Sequence, residues 1–233
     1  LSLVYPLQLL ETAIAVGFGI GMNAAAAYYL GAKEQKRADD IVTSGLILSL
    51  LHGVILMAAA LLFAQAFVSL FTENEKILAD GVKYSNLVFI FAVPNVIAIT
   101  FEKIFQAEGR MKVSMFSMLC GCVANIILDP LLIFGIGIFP KMGIEGAAIA
   151  TGIGQVIPLI VYLFIFIKHP VSLHFHWHKK VFQKRLMGQM YGVGIPATLN
   201  LALPSFMITA LNGILAVYSA SYVLVLGIYY KLQ

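Results

Sequence analysis

An all-helical, polytopic membrane protein is the fold class predicted for this chain of 233 residues. Three observations predict it. Hydrophobic residues make up 61% of the sequence and charged residues 11%, where soluble domains carry about 25% charged residues. Apolar segments near the length of roughly 20 residues needed to cross a bilayer recur from end to end. They do not alternate polar with apolar, so helices are indicated rather than strands. A mean hydropathy of +0.93 agrees. The net charge of +4 comes from loops between spans, which argues against nucleic acid as a partner.

About seven spans follow in order. The first covers residues 1–30 and carries Glu11, a carboxylate placed in hydrocarbon. Its glycines at 17, 19 and 21 and the run Ala24 to Ala27 make a small-residue surface suited to close helix contact. Residues 31–40 read as a polar loop. The second span, 41–71, contains His52, expected to be a packed, hydrogen-bonded residue rather than a proton relay. The loop 72–83 carries Glu73, Glu75 and Asp80. The third span, 84–107, has Pro94 near its middle, where a kink is expected. Glu102 and Lys103 close that span and read as interfacial. The fourth span covers 113–138, the fifth 147–167 with Thr151 and Pro158, and the sixth 186–215 with Pro196 and Pro204. An incomplete seventh follows Ser219. Cys120 and Cys122 are two apart on a helix, so they face different ways and read as buried free thiols.

The fourth span holds the most informative motif, Asn125-Ile-Ile-Leu-Asp129-Pro130. Between residues 113 and 138 Asp129 is the only charged residue. A carboxylate at mid-helix in a membrane costs about 2.5–3.5 kcal/mol on insertion scales. Such residues face a bundle interior or a watery cavity and mark ion pathways. Asn125 lies four residues earlier, on the same helical face. The pair offers hard oxygen ligands and one titratable group, which suits H⁺ or Na⁺. The competing reading is a neutralised carboxylate that serves packing alone. Pro130 disfavours regular helix at Asp129 and is expected to free a backbone carbonyl nearby.

Loop charge sets an orientation. The loops at 31–40, 102–112 and 168–185 hold eleven of the fifteen Lys and Arg residues, so they are expected to be cytoplasmic. On that orientation Asp129 lies about 13 Å below the outer end of its span and Thr151 about 12 Å below the start of the next. Consecutive antiparallel spans neighbour each other, so Thr151 can reach the Asn125/Asp129 face. The alternative for Thr151 is a hydroxyl bonded back to its own helix.

The ends of the chain resemble each other. LSLVYPLQ at residues 1–8 aligns with LGIYYKLQ at 226–233, identical at four positions. One period of an internal repeat, and hence a fragment of a protein about twice as long, is the expectation.

The block NIILDPLLIFGIGIFPKMGIEGAAIATGIGQ at 125–155, with QAEGRMK at 106–112, YPLQLLETAIAVGFGIGMN at 5–23 and GIPATLN at 194–200, resembles the multidrug and toxic compound extrusion (MATE) family. The resemblance implies spans two to eight of twelve. Residues 1–168 would be the N-lobe helices two to six, 169–185 a cytoplasmic inter-lobe loop, and 186–233 the start of the C-lobe. It implies a plasma-membrane exporter, acting as a monomer, that moves amphipathic or cationic drugs and toxic organic cations in antiport with H⁺ or Na⁺. No cofactor beyond the coupling ion is implied. Asn125 and Asp129 match the family's fifth-span cation pair and Thr151 a threonine on the sixth. A further first-span carboxylate of the family falls upstream of residue 1. The seventh-span stretch, 195–205, has no carboxylate, which is similar to the DinF-like branch. Glu11 is not part of the family pattern and stands as an additional intramembrane carboxylate.

Two other functions compete. A lipid-linked oligosaccharide flippase of the same superfamily would need basic residues in a central cavity, and Lys231 is the sole candidate. A membrane-embedded enzyme would need a nucleophile with a base, or a metal set. His174, His176 and His178, interleaved with Phe175 and Trp177, are the one histidine cluster. Their basic, aromatic, juxtamembrane setting reads as interfacial anchoring rather than metal binding, so no enzyme and no metal site is expected.

Overall fold

The computed structural model describes residues 3–137, 139–176 and 182–232, excluding the side chains of Ala220 and of residues 230–232. Trp177 and His178 lie outside the described residues, as does the Lys231 side chain. Eight helices follow one another: α1 (Tyr5–Gly31), α2 (Gln35–Ser69), α3 (Glu75–Ile90), α4 (Ala92–Ala107), α5 (Met111–Phe134), α6 (Ile144–Lys168), α7 (Lys184–Tyr218) and α8 (Ala220–Leu232). Five of them are each long and apolar enough to cross a membrane, and the α3–α4 pair makes a sixth span bent by 45°. The expected seventh span is represented by the 13 residues of α8.

The third span breaks at Phe91 rather than kinking at Pro94. A proline has no N–H to give the carbonyl four residues back, and its ring clashes there. Ending α3 at Ile90 moves Pro94 into the first turn of α4, where no N–H is needed. Pro130 behaves differently. Helix α5 runs through it to Phe134, so Asp129 keeps helical backbone, contrary to the expectation. The carbonyl that loses its donor is that of Ile126, one turn back.

Helix α5 also stops earlier than residue 138. Gly135 caps it in the left-handed conformation at φ 71°, a position that suits glycine. Met142 N–H and Gly143 N–H then donate to the carbonyls of Leu132 and Ile133 at 3.0 and 3.2 Å. The returning chain thus satisfies the end of α5 and starts α6 beside it. Asp129 is about 7.5 Å from the end of α5 and Thr151 about 10.5 Å from the start of α6 at 1.5 Å per residue. The two stay within about one helical turn of each other in depth.

Two stretches read as loop are helix. Helix α2 begins at Gln35, so the loop 31–40 shrinks to a turn in which Lys33 takes a φ of 60°. Asp39 and Asp40 are buried in its first turns. Helix α3 begins at Glu75, where Asn74 accepts hydrogen bonds from the N–H groups of Lys76 and Ile77 at 3.0 and 3.2 Å.

The small residues of α1 do what their size permits. A Cβ on Gly17 would fall 2.1 Å from Thr198 Oγ1, and one on Gly21 would fall 2.0 Å from the Met190 carbonyl oxygen. Backbone contact along α7 results, tied at one end by Ser205 Oγ donating to Pro6 O at 2.7 Å. At the other end Tyr29 hydroxyl donates to Gln189 Oε1 at 2.8 Å. Gly19 faces α4 instead, where it admits the stem of Lys103.

Glu102 and Lys103 are buried within the bundle. They pair at 2.9 Å with side chains only 13% and 12% exposed, joined by Gln106. His52 is packed and hydrogen-bonded, as expected: its Nε2 lies 3.2 Å from the Tyr191 hydroxyl and its ring meets the edge of Phe18. Both cysteines are free, but Cys122 is exposed and Cys120 half-buried. The bundle core falls into two clusters. One gathers Phe18, Met22, Tyr29, Phe101, Phe105, Tyr162 and Met190, and the other Val4, Val68, Tyr84, Phe89 and Ala147.

Candidate functional site

Helices α5 and α6 pack on small residues. A Cβ on Gly121 would fall 2.5 Å from the Gly154 carbonyl, and one on Gly154 would fall 2.9 Å from Asn125 Cβ. Glycine at both positions lets the backbones approach closely enough for short polar side chains to meet. Asn125 and Asp129 are half-buried on α5, whereas Ile126 and Ile127 between them are exposed on its apolar outer face. Asn125 therefore packs against α6 one turn along from Thr151.

Thr151 Oγ1 donates to the Ala147 carbonyl on its own helix at 2.8 Å. That self-bond leaves its oxygen lone pairs available. Tyr84, on α3, lies near Thr151, Gln8 of α1 and Asp129. Tyr84 is 5% exposed, so this grouping lies in the interior. Gln155 lies one turn beyond Thr151, its amide oxygen buried with no hydrogen-bond partner among the described residues.

Four helices thus bring Asp129, Thr151, Tyr84 and Gln8 together, with Asn125 and Gln155 each one turn away along its helix. A carboxylate, three amides and two hydroxyls in low-dielectric surroundings can take up a proton, or replace the hydration shell of a small hard cation. Glu11 lies apart. It is buried on α1, three residues beyond Gln8, and its Oε1 accepts from Asn95 Nδ2 on α4 at 3.0 Å.

Tyr84 and Gln8 escaped the sequence reading. Gln8 had a signal, as a lone amide inside an apolar run and one turn from Glu11. Tyr84 had none, since a tyrosine at the start of a span is ordinary at a membrane interface.

The histidine-rich segment sits elsewhere. The rings of His174 and His176 stack 6.1 Å apart, and His176 Nε2 lies 3.7 Å from Asp39 Oδ2. Among the described residues no group of three or more His, Cys, Asp or Glu could hold a metal ion.

The MatE family profile matches residues 1–131. The chain belongs to the MatE family. This MatE chain is 27% identical over 234 aligned residues to the multidrug export protein MepA of Staphylococcus aureus, covering 100% of itself and 51% of that protein. It is 27% identical over 209 residues to the probable multidrug resistance protein YoeA of Bacillus subtilis, covering 88% of itself and 45% of YoeA. Among solved structures, an inward-facing multidrug resistance MATE family transporter of the MOP superfamily aligns with a TM-score of 0.80 and 25% identity. That alignment covers 95% of this chain and 52% of the other. The chain spans about half the length of the curated relatives it matches. Its helical bundle is that of a multi-pass MATE transporter.

Proposed function

We propose that this chain forms the ion-coupling half of a secondary multidrug exporter that moves amphipathic or cationic compounds out of the cell in antiport with H⁺ or Na⁺. The name of MepA describes multidrug export and that of YoeA probable multidrug resistance. The close packing of α5 on α6 at Gly121 and Gly154, which sets Asn125 and Asp129 beside the helix that carries Thr151, carries the coupling part of the reading. The coupling cation binds Asp129 with Asn125 and Thr151, and the Tyr84 hydroxyl and the Gln155 amide oxygen complete an oxygen cage. Occupancy of that cage biases the bundle between two packings, and the ion gradient thereby drives release of the organic cation. Residues 1–168 act as the N-lobe, 169–185 as the link between lobes, and α7 and α8 as the start of the C-lobe. The basic loops face the cytoplasm of a plasma-membrane protein working as a monomer. No cofactor besides the coupling ion is called for, and none of the steps is enzymatic.

Efflux of a fluorescent organic cation from cells making the full-length protein, under imposed pH and sodium gradients, tests this. Asp129→Asn should abolish gradient-driven efflux at unchanged expression. Wild-type efflux in that variant would overturn the coupling assignment.

A further inference from the structure

Ser114, Ser117, Gly121, Asn125 and Asp129 follow one another at helical spacing, so they share one face of α5. That face holds every Ser, Asn and Asp of the helix. Ser114, Ser117 and Gly121 are buried on it, whereas Met115, Phe116, Met118 and Leu119 around them are exposed. At 1.5 Å per residue the face runs about 22 Å from Asp129 to Ser114, most of the thickness of a bilayer core.

Oxygen atoms recur along this face and the α6 surface packed on it. Gln155 Oε1 is buried without a hydrogen-bond partner among the described residues, and so is Ser117 Oγ. Thr100 and Thr151 return their hydroxyls to their own helices at 2.8 Å, the ordinary arrangement in an apolar helix, and Ser117 does not. Between Gln155 and Ser117 lies the Gly154 carbonyl. It receives no N–H from Pro158 four residues on, and it faces Gly121. The Tyr162 hydroxyl donates to Ser114 O at 3.2 Å and lies near Ser117 and Glu102. Glu102 ends the series beside the basic α4–α5 turn, paired with Lys103 at 2.9 Å.

Buried oxygens without donors cost stability. A run of them that starts at one intramembrane carboxylate and ends at another suits a migrating cation. The Lys103 ammonium suits the exit, because beside it Glu102 holds an arriving cation weakly. A route conducts only when its last station lets go. The seam is shut in this packing. A Cβ on Gly121 would fall 2.5 Å from the Gly154 carbonyl oxygen and 2.5 Å from Pro158 Cγ. Passage therefore requires α6 to shift at Pro158, where the helix lacks a backbone hydrogen bond.

We propose that the α5–α6 seam is the inward route of the coupling ion, from Asp129 past Gln155, the Gly154 carbonyl, Ser117 and Tyr162 to Glu102. The contact of Gly121 with Pro158 is its gate. The route rests on the coupling role of Asp129 and adds where the ion goes on leaving it.

The test is gradient-driven efflux of a fluorescent organic cation by the full-length protein in liposomes, its rate followed against the concentration of the driving cation, H⁺ or Na⁺. Ser117→Ala removes a hydroxyl that has no hydrogen-bond partner, so the thermal midpoint should hold or rise. Its maximal rate should nonetheless fall roughly tenfold. The half-maximal cation concentration should not rise, because Asp129 still takes up the ion. Tyr162→Phe should act in the same way, and it serves if Ser117→Ala fails to fold. A wild-type maximal rate in either folded variant would overturn the route. The coupling assignment is read separately. Efflux lost in Asp129→Asn but normal in Ser117→Ala and Tyr162→Phe sinks the route alone. Efflux retained in Asp129→Asn sinks the coupling reading, and the route with it.

Discussion

Phe91 lies directly over Gly152. A Cβ on the glycine would sit 2.1 Å from Cδ2 of the ring. The contact pins the break between α3 and α4 onto α6 at the residue after Thr151. Overpacking of this kind costs about 1–3 kcal/mol. Gly152→Ala should therefore lower the thermal midpoint of the purified full-length protein, and Phe91→Ala should lower it by loss of packing. The double variant should lose less than the two separate losses together, because the smaller side chain makes room for the added methyl. Additive losses would show that the two residues are not in contact.

Tyr84→Phe keeps the ring and removes the hydroxyl that lies near Thr151 and Gln8. One hydrogen-bonding group is worth about 0.5–1.5 kcal/mol net, so stability should change little. The effect should appear instead in the dependence of efflux on the driving cation. Tyr84→Phe should need a higher concentration of that cation for half-maximal efflux than wild type at equal expression. An unchanged cation dependence would remove Tyr84 from the site.

Asp129 was legible because it stood alone between residues 113 and 138, and Asn125 because four residues is one helical turn. Thr151 followed from the short connection between adjacent spans. What the sequence hid had tertiary causes. Pro94 announced a disruption, but the turn that breaks is set by Phe91 seating on Gly152. Asp39 and Asp40 looked like solvated loop charges. They are buried because they accept hydrogen bonds from residues more than 130 positions away, at His174 and Gln183. Glu102 and Lys103 gave no local sign of burial, and they pair inside the bundle where Gly19 leaves a slot for the lysine stem. Local charge and spacing reveal a residue's chemistry, whereas a partner far along the chain leaves no local trace.

The α1–α7 seam separates two kinds of glycine. Gly21 has no room for a Cβ, which would meet the Met190 carbonyl at 2.0 Å, whereas Gly192 on the facing helix has nothing within 4 Å. Gly21→Ala should destabilise by about 1–3 kcal/mol through forced separation of the helices. Gly192→Ala should be neutral or stabilising by up to about 1 kcal/mol, the ordinary helix gain of alanine over glycine. Opposite signs in thermal unfolding of the two full-length variants check the seam. Equal behaviour would mean that α1 and α7 do not approach at Gly21.

The segment after α6 crosses the bundle end as a strap held by two carboxylates. Asp39 Oδ1 accepts from the His174 N–H at 2.9 Å and from Gln35 Nε2 at 2.9 Å. Glu108 Oε1 accepts from the Leu173 N–H at 3.1 Å and from Ser172 Oγ at 2.7 Å. Val171 and Leu173 are buried between these anchors. Hydrogen bonds to a charged acceptor are worth about 1.5–3 kcal/mol, so losing one should speed amide exchange roughly ten- to hundred-fold. Asp39→Ala should do this at His174 in hydrogen–deuterium exchange of the full-length protein. Leu173 reports how the strap opens. If it opens residue by residue, Leu173 stays slow on Glu108. If it lifts as a unit, Leu173 speeds up with His174, and Glu108→Ala reproduces the same pattern from the other anchor. Exchange at His174 that is already fast in the wild-type protein would mean the Asp39 contact does not hold the strap.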